Sequence, residues 1–119
     1  MSLYKNYYVI AGYDLTGYTT DEYDDWKWSD EGEKYTCQQT ANHIQLFDDP
    51  MSGEYLYLGF ILACGDEYDF KTTKFDMETV NQVQGYVKSE LVKLIDLGVI
   101  SKDPRFKPTY QVIAFEEVT

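Results

Sequence analysis

The chain has 119 residues, 44% of them apolar and 17% aromatic, which suits one buried core in a single domain spanning 1–119 and does not fit a disordered or repeat protein. Twenty-one acidic residues against ten basic ones give a formal net charge of −11, which repels phosphate backbones and anionic headgroups and argues against direct binding of nucleic acid or of a membrane surface. The chain opens on no charged-then-apolar leader, and its longest apolar run, Tyr55 to Cys64, is far shorter than the roughly 20 residues of a membrane helix, so a cytoplasmic location is expected.

The first strand-like segment is Tyr7-Tyr8-Val9-Ile10-Ala11, and its pattern Tyr-x-Val-Ile-Ala returns at Tyr110 to Ala114. Both are rich in β-formers and read as largely buried strands in the middle of one sheet. From Leu15 to Glu33 the chain turns polar and acidic. Thr20 is a candidate helix cap with acids following it, whereas the alternation of Trp26 and Trp28 also suits a short strand, and the two readings stand side by side.

Lys34 to Cys64 carries the signals of a β-meander: Tyr35 to Gln39, a turn, His43 to Phe47, a break at Asp49-Pro50-Met51-Ser52-Gly53, then Tyr55 to Cys64. The clearest helix covers Met77 to Leu97, with Asp76 as N-cap and Gly98 as the stop. Val80, Val83, Val87, Leu91 and Leu94 form one apolar stripe along it, and Gly85 reads as a point of close packing. A last strand covers Thr109 to Val118. The expected fold is α+β in two layers, a mainly antiparallel sheet of about five strands with one long helix crossing one face.

Few residues point to catalysis. The single histidine, His43, excludes a histidine-based metal cluster, no calcium-loop or phosphate-loop pattern occurs, and none of the five serines sits in a nucleophile elbow. No catalytic residue, metal or cofactor is therefore assigned. Cys37 and Cys64 read as small buried side chains, and Cys37 beside His43 is the one nucleophile pairing the sequence offers. Asp48 and Asp49, just before Pro50, read as turn initiators.

What stands out is the distribution of charge. Residues 1–60 hold 11 acids and 3 bases, residues 61–119 hold 10 acids and 7 bases, and the tetrad Asp-Glu-Tyr-Asp occurs twice. Acids interleaved with aromatic rings imitate the spaced charges and flat bases of a nucleic acid. The expected function is thus a small interaction module, an inhibitor or nucleic-acid mimic, that presents this face to a basic, nucleic-acid-binding protein. The expected contacts are Asp21, Glu22, Tyr23, Asp24, Asp25, Trp26 and Trp28, with Asp66, Glu67, Tyr68 and Asp69 secondary. In composition alone the chain resembles the accessory proteins that phages direct against host machinery. The alternatives are a homo-oligomer joined through exposed strand edges and a small carboxylate-dependent enzyme.

Overall fold

The computed structural model describes residues 5–36, 43–48, 55–66, 74–103 and 105–118. In chain order these form β1 (Lys5–Asp14), α1 (Tyr23–Lys27), α2 (Asp30–Thr36), β2 (Ile44–Asp48), β3 (Leu56–Asp66), α3 (Met77–Asp96) and β4 (Gln111–Val118). The domain is α+β, with four strands among the described residues rather than five. The missing strand is the one expected over Tyr35 to Gln39: Tyr35 and Thr36 close α2, and residues 37–39 lie outside the described set.

The strand order is β2-β3-β1-β4, every neighbouring pair antiparallel. β3 and β4 consequently run parallel to each other on either side of β1, and α3 carries the chain from one to the other across it. The two Tyr-x-Val-Ile-Ala segments pair directly, Val9 with Ala114, Ile10 with Ile113 and Ala11 with Val112. Only the first is central. Among the described residues the second forms an edge strand, in which Val112 and Ala114 are exposed because α3 sits over β1 and β3 and does not cover them.

α3 begins where Asp76 accepts a bond from the Glu78 amide (2.9 Å) and ends before Gly98, whose φ of 81° is the left-handed geometry of a helix stop. Val80, Val83, Val87, Leu91 and Leu94 are all buried. They meet Ala11, Tyr13 and Leu15 of β1 and its continuation, Ile44 and Leu46 of β2, and Leu56 and Leu58 of β3. Gly85 is instead exposed, and a Cβ there would touch nothing, so it serves no close packing.

The opposite face of the sheet carries a second buried layer. Ile10 and Phe47, at 0% and 1% exposure, alternate with residues of the helix-covered face and so point away from α3. The ring of Phe115 lies 5.5 Å from Tyr8, its partner across β1 and β4, 5.2 Å from Phe47 and 5.0 Å from Tyr57. Tyr57 pairs with Asp14, six residues along β1 from Tyr8. In a flat sheet those rings would be roughly 20 Å apart at the usual rise per residue, so the sheet curls on itself to bring them together.

Two features permit the curl. A register shift between Val9 and Ile10 places Ala63 and Ile61 opposite consecutive residues and leaves Leu62 as the extra one, a bulge that adds bend and twist. Further along, Gly12 pairs with Gly59, and a Cβ on Gly12 would fall 1.8 Å from the Leu58 carbonyl oxygen. Only glycine allows that approach.

Candidate functional site

The acidic stretch after β1 is fastened to the end of α3. Thr20 N donates to Val99 O (3.0 Å) and Thr20 Oγ1 to Gly98 O (2.5 Å), while Ser101 N donates to Tyr18 O (2.8 Å). Thr20 therefore anchors the segment rather than capping a helix. Glu22 occupies the N-cap position of α1 and makes no side-chain capping bond.

The Trp26 and Trp28 region resolves as helix. α1 and α2 meet at a tight corner, where Ser29 Oγ donates to Trp26 O (2.6 Å) and accepts from Gly32 N (3.2 Å). Gly32 is buried, and a Cβ on it would lie 2.0 Å from Trp26 O. Acids in the first turn of each helix, Asp24 and Asp25 in α1 and Asp30, Glu31 and Glu33 in α2, suit the partial positive charge at those ends.

Two of the expected contact residues face inward. Tyr23 is buried and donates its hydroxyl to Asp48 Oδ2 (3.0 Å); Trp26 is half-buried, with its ring 6.0 Å from Tyr23 and 5.6 Å from Tyr35. Both pack the two helices onto the domain, Tyr23 with little surface left to solvent and Trp26 with part of its ring still accessible. Burial first, and the neighbouring Asp48 carboxylate second, push the Tyr23 phenol far above its ordinary value.

Outward-facing residues make the ridge. Asp21, Glu22, Asp24, Asp25, Asp30, Glu31 and Glu33 are all exposed, and none of these carboxylates forms an ion pair among the described residues. Trp28 stands among them at 74% exposure. Lys27, the one base between residues 21 and 33, is engaged elsewhere: its Nζ lies 2.7 Å from Asp48 Oδ2 and 5.1 Å from the centre of the Trp28 ring. Clefts open on either side of this lysine, one of about 330 Å³ bordered by Thr16, Asp24, Asp48 and Tyr55, the other of about 190 Å³ bordered by Trp28, Glu33, Phe47 and Glu117.

Of the second tetrad, Asp66 ends β3 opposite Asn6 and is half-buried, while Glu67, Tyr68 and Asp69 lie outside the described residues. Asp48, read from the sequence as a turn initiator, reaches back 25 residues to Tyr23 and pairs with Lys27. Nothing local in the sequence signals that role. Cys64 is exposed, contrary to the expectation of a buried side chain, and Cys37 lies outside the described residues, so its pairing with His43 does too. Three or more His, Cys, Asp or Glu side chains arranged to hold a metal ion do not occur among the described residues. No helix among them is long and apolar enough to cross a membrane.

No protein-family model matches the chain, and neither a curated protein nor a solved structure shows significant similarity to it.

Proposed function

We propose that this protein is an interaction module whose α1–α2 ridge binds a basic partner protein, in the manner of a nucleic-acid mimic occupying a basic groove. One observation carries this reading: seven exposed carboxylates project from thirteen residues, and the only base in that stretch is tied to Asp48. Such uncompensated charge raises the potential along the ridge and draws a cationic surface toward it at long range. Trp28 adds an exposed ring able to stack on an arginine or fill a shallow apolar site, and the clefts beside Lys27 offer Asp24 and Glu33 to incoming basic side chains.

The contact set on this reading is Asp21, Glu22, Asp24, Asp25, Asp30, Glu31, Glu33 and Trp28, with Tyr23 and Trp26 as supports behind it. The test compares the wild-type chain with the double variant Asp24→Lys, Asp25→Lys as bait in cell extract, at low and high salt, with bound proteins identified by mass spectrometry. Wild type is expected to retain basic, nucleic-acid-binding proteins that salt and added nucleic acid release, and the variant to lose them. With one purified partner, association with the variant slows by about tenfold at low salt. Identical retention by both baits removes the ridge from the interface.

A further inference from the structure

We infer that the groove between α3 and the segment leading back to β4 binds a fatty acid of medium chain length, its tail along the apolar base and its carboxylate held by Lys88 and Lys102. The site is separate from the α1–α2 ridge. After Gly98 the chain turns back beside the helix. Val99 N donates to Leu94 O (3.3 Å) at the helix end, and near the helix start the Tyr110 hydroxyl donates to Val80 O. Between these two fastenings the elements part around a cavity of about 540 Å³, a size that suits a small organic ligand.

The base of the groove is apolar. α3 contributes Leu91, Val92 and Ile95, the returning segment Phe106 and Tyr110, and β1 the largely buried ring of Tyr13. Val92 is 46% exposed here. The Phe106 ring is stacked on Tyr18 with centres 3.9 Å apart, and the Tyr13 ring lies 5.6 Å from Tyr110, so the aromatic side is in place before a ligand arrives. Gln84 and Ile95, at the two ends of the helix side, are about 16 Å apart at the usual rise per residue, which suits one extended alkyl chain.

Charge selects the head group. The chain carries a formal −11, yet Asp103, the one acid that lines the groove among the described residues, is taken by Arg105 (Nη2 to Oδ2, 2.9 Å). Lys88 comes from the helix and Lys102 from the returning segment. Both are exposed, and neither forms an ion pair among the described residues. Two uncompensated ammonium groups beside an apolar base attract an anion with a hydrocarbon tail and repel a cation of the same shape.

The test follows the methyl signals of Leu91, Val92 and Ile95 by NMR while decanoate is added to the intact chain. They are expected to move saturably with a midpoint below about 1 mM, and octanoate to need about fivefold more, since its shorter tail withdraws fewer methylenes from water. Lys88→Glu with Lys102→Glu is expected to raise the dissociation constant about tenfold. Lys34→Glu with Lys74→Glu, equal in charge and outside the groove lining, should leave it within about twofold. Val92→Asp, at an exposed position, is expected to keep the circular dichroism spectrum and abolish the response. Decanoate that moves none of these methyls, decyltrimethylammonium that moves them as strongly, or an equal loss in both lysine pairs overturns the inference. So does movement of the same signals when the chain is concentrated without ligand, which would assign the groove to a second copy.

Discussion

The two faces of the sheet bury their side chains in different ways. On one face aliphatic residues of β1, β2 and β3 meet the valine and leucine stripe of α3, so a separate element supplies the cover. On the other no described helix lies over Ile10 and Phe47; the sheet bends at a bulge and a glycine pair, and the rings of Tyr8, Phe47, Phe115 and Tyr57 pack on one another. A four-stranded sheet is too small to bury two flat faces with one helix. Curling removes the second face from water at the cost of requiring large rings, which span the gap, and glycine, which lets the backbones approach.

If the curl depends on that close approach, the largest effect comes from the smallest substitution. Gly12→Ala puts a methyl group onto the Leu58 carbonyl and is expected to cost about 3 kcal/mol or more, read as a drop in the urea midpoint. Gly85→Ala, on open helix surface, is expected to stabilise by up to about 1 kcal/mol. Equal behaviour of the two would mean that the sheet flattens without penalty.

A matched pair of truncations sharpens the comparison. Leu94→Ala under the helix and Phe47→Ala in the aromatic layer are each expected to cost about 3–4 kcal/mol, since both side chains are fully buried. A cost below about 1 kcal/mol at Phe47 would show that the curled face is a loose surface cluster and not a second core.

Smaller effects concern the phenols that join the ridge to the rest of the domain. Tyr35 donates to Oε2 of Glu90 (2.6 Å), a carboxylate on α3 that is only 4% exposed and also meets Lys93 Nζ at 3.4 Å. Tyr35→Phe leaves that buried acceptor short of a donor, and the expected cost is about 2 kcal/mol. Burial, followed by the nearby carboxylates, raises the phenols of Tyr23 and Tyr35 well above their ordinary 10.0. The unfolded chain then ionises first, so their contribution is intact below pH 10 and is lost as pH rises past it. Thermal melts from pH 8 upward should therefore fall beyond about pH 10, with a shallower decline in the Tyr23→Phe, Tyr35→Phe double variant.

α3 was legible in the sequence almost to the residue, because a 3.6-residue period, an aspartate cap and a terminal glycine act within one or two turns. The acidic character of residues 14–33 was equally plain, since composition needs no fold. Which of those residues face a partner was not: Tyr23 and Trp26 look from the sequence like Trp28, and only the distant Asp48 and Tyr35 draw them inward. Tyr35 itself suited a strand by its β-preference, yet its hydroxyl is held by Glu90, 55 residues away, from a position in α2. The twin strand motifs carried the same local preference into unequal places, one central and one at the edge, because strand order is fixed by long-range pairing and by the crossover of α3. Local periods and caps belong to the sequence alone. The curl of the sheet and the division of the acidic stretch into supports and exposed charges exist only once residues far apart in the chain compete for the same buried space.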